Sequence, residues 1–415
     1  MARVPALLFL VVGVAASAQP ASVSGVVRDA GGAALPGASV YLSGTTYGDA
    51  ADAEGRFEIA GVPPGGYRLV GSLVGYAPNA REMRLAAGAQ ATLDLELAVS
   101  TAALATVRVE ASRDRAWEKR LARFSKSLLG ESANAAQSAI LNPEVLDFRV
   151  RWGTLHATAA APLVIENRAL GYRLVYDLYA FRASSRRVSY DGDERFEALE
   201  PASTEEAARW AAARERAYRG SLRHLLRSLL DERATEEGYT LTVVRDDPFG
   251  YRSGWPPRPA HGVMRADTAG WGTLRVRGRM DVVFAEPEEP AYLESDWFRD
   301  GRFRPDGVQR SSLRVDRGRA RIDPQGTPDD PFAVSTSGYM GFERLADLVP
   351  ADFTPRSDAR VGETEVIGLR MKADLRPVVQ GLVPLVTTPP HASEDLGSRS
   401  GNLLGAVQDW INPCF

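Results

Sequence analysis

The chain has one cysteine and four histidines among 415 residues. Cys414 has no second cysteine to pair with, so no internal disulfide can form. Lysine is nearly missing: Lys119, Lys126 and Lys372 stand alone, and arginine carries almost all the positive charge. The formal net charge is only -3, so no whole-molecule field recruits nucleic acid or an anionic membrane. There is no phosphate loop, dinucleotide fingerprint, G-x-S-x-G elbow, S-x-x-K or H-E-x-x-H. The apolar run LLFLVVGVAA is too short to span a bilayer comfortably. With Arg3 before it and Ala16–Ala18 after it, residues 1–18 read as a signal peptide cleaved after Ala18. No cysteine lies near that point, so the expectation is an exported protein, periplasmic or outer-membrane-associated, and not a lipoprotein.

What is present falls into two patterns. From Val23 to Leu97 apolar residues alternate: Val40 with Leu42, Phe57 with Ile59, then Tyr67, Leu69 and Leu73, then Leu93, Leu95 and Leu97. The turn signals DAGG, LPG, DAEG and PPGG separate these runs. Short strands at this spacing predict a small antiparallel β-sandwich over residues 19–99.

Particular motifs sharpen that reading. GVVRD at Gly25–Asp29, LPGASV at 35–40, D-x-x-G-x-F at 52–57 and the VPPGGY turn resemble the carboxypeptidase regulatory-like domain, a transthyretin-like sandwich. The resemblance implies a non-catalytic module of envelope proteins. Related pilin-type sandwiches cross-link a lysine to an asparagine, which the absence of lysine from residues 19–118 excludes. Asp49, Asp52 and Glu54 share one loop, either as oxygen ligands for calcium or as solvated turn acids. Tyr47, Tyr67 and Tyr76 are either sugar-stacking faces or core.

Residues 100–113 read as a linker. ALATVRVEAS there resembles the segment before the plug of TonB-dependent transporters, several of which begin with the same sandwich. No plug pattern follows, and a transporter barrel of about 22 strands needs far more chain than remains. Residues 114–355 then read as a strand-dominated α+β domain. Trp117, Leu121, Phe124 and Leu128 mark an amphipathic helix that Gly130 can end. Asp191-Gly192 is read as a hairpin turn. Ser203 and Glu206 form a capping box that opens one long helix pair, which Gly220 bends or divides. The fold class is therefore multidomain, a transthyretin-like antiparallel sandwich followed by an α+β domain. ILNPEVLDFR, PLVIENRALGYRLVYDL, YRGSLRHLLRSLL and GFERLADLVPADFTP resemble stretches that follow the same sandwich in exported bacterial proteins; that resemblance implies an envelope address and no activity. Residues 356–415 are polar and turn-rich, and read as a flexible tail.

Chemistry is thin. A zinc carboxypeptidase needs two histidines and a glutamate on one metal. The lone H-x-x-E string, His391 to Glu394, has no later histidine. His156, His224 and His261 read as packed or surface residues, and Cys414 is too near the terminus to be positioned as a nucleophile. No catalytic, cofactor-binding or metal residue is assigned, and no cofactor is expected. Arg209, Arg216, Arg219, Arg223 and Arg227 recur at helical spacing, as a basic ridge for an acidic ligand or a solvated face paired with acids. Trp255, Trp271 and Trp297 are candidates for stacking on a glycan, or else core. The expected role is a non-enzymatic envelope protein that binds a glycan or an outer-membrane protein, with no nucleic acid partner and no membrane span after signal cleavage. Two alternatives stay open: a hydrolase working through paired carboxylates, and an accessory partner of a TonB-dependent transporter.

Overall fold

Strands β1 (Ala21–Asp29), β2 (Ser39–Leu42), β3 (Gly48–Ala50), β4 (Arg56–Val62), β5 (Gly65–Ser72), β6 (Tyr76–Ala77), β7 (Asn79–Leu85), β8 (Gln90–Thr92) and β9 (Leu95–Val99) build two facing sheets. The computed structural model describes residues 19–100, 114–184, 187–244, 258–267, 270–295, 298, 307–330 and 332–356. One sheet runs β4-β1-β9-β6 with β8 also on β1, and the other runs β3-β2-β5-β7. Pairing is antiparallel except that β1 meets β8 and β9 in parallel. Val23, Val27, Val40, Leu42, Phe57, Ile59, Leu69, Leu95 and Leu97 fill the space between the sheets, as the alternation requires.

The second part begins with helix α1 (Arg115–Leu129), capped by the Asp114 carboxylate, which accepts the Trp117 N–H at 2.8 Å. Its Phe124 and Leu128 pack on a six-stranded sheet, joined by Trp117 and Leu121. That sheet consists of β10 (Ser138–Ile140), β11 (Leu146–Arg151), β12 (Thr154–Ala159), β13 (Leu163–Asn167), β14 (Tyr172–Ala183) and β15 (Val188–Ala198), ordered β10-β13-β14-β12-β11 with β15 on β14. Asp191-Gly192 is not a turn. It lies inside β15, where Gly192 pairs with Leu178 and a side chain would strike the Asp177 carbonyl and the Tyr176 ring. The long pairing with β14 overrides the local turn preference.

Helices α2 (Thr204–Tyr218) and α3 (Leu222–Leu230) follow. Ser203 accepts the Glu206 N–H at 3.2 Å, while Glu206 reaches back to Ala202 N–H at 2.6 Å. Gly220 separates the helices with φ +83°, and a Cβ there would lie 2.3 Å from Gln309. The bend is held by His224, whose Nδ1 accepts the Gly220 N–H at 3.0 Å and faces the Tyr239 hydroxyl at 2.8 Å. Its Nε2 lies 2.9 Å from the Glu237 carboxylate. Burial keeps this imidazole well below its usual range despite the pull of Glu237, so it is a neutral clamp.

Two more sheets complete the core. One contains β16 (Tyr239–Val244), β17 (Arg258–Pro259), β20 (Arg279–Phe284), β21 (Gln309–Val315) and β23 (Val334–Gly338) in the order β17-β16-β20-β21-β23. The other contains β18 (Met264–Ala266), β19 (Gly272–Arg275) and β22 (Arg319–Ile322). Leu225, Leu226, Leu274, Met280, Val282, Phe284 and Leu313 pack between them. All described residues belong to one compact unit. The chain is thus a β-sandwich joined to a strand-dominated α+β part. Residues 1–18, read above as a signal peptide, residues 101–113 of the expected linker and residues 357–415 of the expected tail lie outside the described residues. No described helix is long and apolar enough to cross a membrane.

Candidate functional site

Because Val40 and Leu42 face the sandwich core, Ser39, Tyr41 and Ser43 must face outward on β2. Tyr41 does not face water: it is 1% exposed, covered by β14 and β15, while Ser39 and Ser43 are partly buried. Those two strands set Asp177 directly opposite Asp193, an unfavourable like-charge pair. The sandwich supplies the compensation. Tyr41 donates to Asp177 at 2.6 Å and Ser72 donates to it at 3.1 Å. Asp193 accepts Ser43 at 2.7 Å and Tyr179 at 2.6 Å, and pairs with Arg68 at 2.9 Å. Burial pushes the Asp177 carboxyl up, and the Tyr41 and Ser72 bonds oppose it. The Tyr41 phenol is pushed far up by burial and by Asp177, so it remains a donor.

Main-chain contacts continue this seam. Gly44 N–H donates to Glu194 O at 2.7 Å and Phe196 N–H to Thr45 O at 3.0 Å, so loop 44–45 covers the free edge of β15. Arg195 reaches Ser39, and Thr46 binds Asp352 through both its N–H and its hydroxyl. A cleft of about 90 Å³ opens beside Asp177, between Ser72, Tyr76, Ala160 and Tyr179. Enclosing small-molecule pockets measure roughly 300–1,000 Å³. The cleft is therefore too small to enclose a ligand of more than a few atoms.

A second charged group joins α3, β15 and the chain after β22. Arg223 of α3 donates to the Val349 carbonyl and lies in the field of Glu194 and Asp323. Burial pushes Glu194 up to about 7 and Asp323 up to about 6, with Arg223 opposing both. A carboxyl raised on folding stabilises the native state fully below its unfolded value, and that stabilisation is lost as pH rises through the folded value. Glu194→Gln is therefore expected to match the wild type in Tm near pH 4.5. It should become relatively more stable by on the order of 2 kcal/mol by pH 8. Parallel Tm curves for the two proteins across that range would contradict the assignment.

The candidate residues scatter. Arg216 is exposed, but Arg219 pairs with Glu286 at 2.6 Å and Arg227 lies 5.9 Å from the Tyr218 ring centroid. Arg223 points into the junction just described. The arginines thus form no single open ridge, because Arg219 and Arg223 are drawn to acids and a carbonyl of neighbouring elements. Trp271 is 8% exposed and stacked, and is no open platform. Trp255 and Trp297 lie outside the described residues, as do His391, Glu394 and Cys414. In the acidic loop, Asp52 accepts the Glu54 and Arg56 N–H groups and pairs with Arg56, which also pairs with Glu54. Asp49 accepts the Ala50 and Glu58 N–H groups. Among the described residues no group of three or more histidine, cysteine or acidic side chains could hold a metal. Sequence reasoning missed Tyr41, Asp177 and Asp193; an aromatic at an outward strand position was the available signal.

Residues 22–98 match the family described as carboxypeptidase regulatory-like domain. The match covers the sandwich and stops where the α+β part begins. No curated protein matches the chain. Among solved structures, the Bacillus anthracis TIE protein is similar at 18% identity, over 20% of this chain and 17% of that one, with a TM-score of 0.18. A type II Cohesin-X-Dockerin complex from Acetivibrio cellulolyticus is similar at 20% identity, over 19% and 57%, with a TM-score of 0.17. A DUF3823 family protein from Parabacteroides merdae is similar at 12% identity, over 43% and 81%, with a TM-score of 0.16. The chain thus spans 17% and 57% of the first two structures it resembles.

Proposed function

We propose that the protein is an exported, non-catalytic component of the cell envelope, whose sandwich and α+β part together dock an envelope glycan or an outer-membrane protein. The observation that carries this reading is the Asp177–Asp193 pair, bridged by the sandwich. Both carboxylates are occupied by donors from the sandwich or from β14, so they hold the two parts together. Asp193 accepts three donors, and each oxygen of Asp177 accepts one, so both acids are engaged in the seam. The small cleft beside them favours a ligand lying across the surface.

Thermal denaturation of the purified chain against envelope glycans, peptidoglycan fragments, calcium and zinc tests the reading. A ligand that binds only the folded state adds about 2.7 kcal/mol at a hundredfold excess over its Kd. A glycan-induced rise in Tm is the expected result; failing that, cross-linking in intact cells should capture an outer-membrane protein. Recovery from the cytoplasmic fraction, or no partner in either experiment, would sink it. The alternative is a carboxylate-dependent hydrolase, for which Glu194 and Asp323, the two acids beside Arg223, are the residues to test. It predicts release of sugar from an envelope polymer that Glu194→Gln abolishes.

A further inference from the structure

The β11–β12 hairpin turns on two residues, Trp152 and Gly153, with φ of +52° and +73°. Such turns favour Asn-Gly or Asp-Gly, because both central residues adopt a left-handed backbone. A bulky aromatic there is strained. Trp152 nevertheless occupies the position and is 98% exposed, against 75% for the next most exposed large apolar residue, Val74. The backbone beneath it is fixed. Six consecutive pairs from Leu146↔Ala159 to Arg151↔Thr154 hold the hairpin. Arg123 of α1 donates to the Gly153 carbonyl at 3.1 Å and to the Ala183 carbonyl at 2.7 Å, tying the tip to the adjacent β14–β15 hairpin.

Basic side chains predominate around this tip. Arg149 and Arg151 are exposed on β11, and exposed Arg182 follows across the sheet through His156. Arg187, also exposed, sits on the neighbouring hairpin. The acid nearest them in the strand is Asp147, 3.7 Å from Arg149. A net charge of -3 does not cancel such a cluster, because at physiological salt screening confines each charge to about 8 Å.

We propose that this tip is a membrane-contact element that seats Trp152 in the interfacial layer of an anionic phospholipid bilayer, with the arginines on lipid headgroups. Tryptophan suits that layer because its ring is apolar and its N–H is polar. A single convex aromatic offers no platform along which a sugar chain could lie, and half-exposed Val150 adds apolar surface beside it. The proposal stands independently of the glycan or protein partner.

Sedimentation of the purified full chain with vesicles tests it. Binding is expected to equal mixtures of phosphatidylglycerol and phosphatidylcholine, weakly to phosphatidylcholine alone, with release at high salt. Trp152→Asn places a residue the turn prefers, so Tm should be no lower while partitioning falls about tenfold or more. Replacing Arg149 and Arg151 together by glutamine should cost roughly thirtyfold. Three outcomes overturn the proposal: no binding to the mixed vesicles, equal binding by Trp152→Asn, or Trp152-dependent retention on alginate without vesicle binding. The last would assign the tip to an acidic polysaccharide.

Discussion

Trp271→Ala is expected to destabilise the protein by about 3–5 kcal/mol, the range for emptying a buried large aromatic site. The Trp271 ring is stacked between two guanidinium groups, Arg321 at 4.1 Å and Arg84 at 4.7 Å from its centroid. Arg84 belongs to β7 of the sandwich and Arg321 to β22, so the ring joins the two parts. The sandwich backbone closes on it as well: a Cβ on Gly66 would lie 2.0 Å from the indole. Only glycine permits that approach, and Gly66→Ala should therefore mimic the tryptophan variant in direction. Urea unfolding followed by circular dichroism measures both. A ligand platform would behave oppositely, losing binding while its unfolding curve stayed unchanged, and that result would restore Trp271 as a glycan contact.

Asp177→Ala should cost about 3 kcal/mol. It strands the buried hydroxyls of Tyr41 and Ser72, each of which loses a charged acceptor. Relief of repulsion with Asp193 offsets part of the loss. Tyr41→Phe isolates the remainder, because it removes one donor and leaves the carboxylate with Ser72. In a double-mutant cycle the Tyr41–Asp177 coupling should be about 1.5–3 kcal/mol, as for a hydrogen bond to a charged group. Additive single effects would mean that the Tyr41–Asp177 bond does not contribute to holding the seam. A second expected signature is reduced cooperativity, with the sandwich and the α+β part of Asp177→Ala melting separately.

Legibility in the sequence followed distance along the chain. The sandwich could be read from Val23 to Leu97 because alternation and turn chemistry are local, and the same holds for α1 and for the Ser203 cap. Asp191-Gly192 misled for the converse reason. A turn signal is a local preference, and pairing with β14 outweighed it once Gly192 allowed Tyr176 to pass close by. The arginines of α2 and α3 were correctly placed at helical spacing, but spacing does not say what a face meets. Arg223 and Arg219 met acids from β15, the chain after β22 and the chain after β20.

The sequence by itself determined the two-part architecture, the helix ends, the sandwich core and the carboxypeptidase regulatory-like character of residues 22–98. These depend on interactions within a few residues, or on a period that one strand or helix repeats. Tertiary structure alone decided that Tyr41 is buried, that Asp177 faces Asp193, that Trp271 is a clamp and that Trp152 is left in water. Each of those facts depends on which distant backbone covers a side chain. Tyr41 and Asp177 are 136 residues apart, and at that separation no local pattern records their contact.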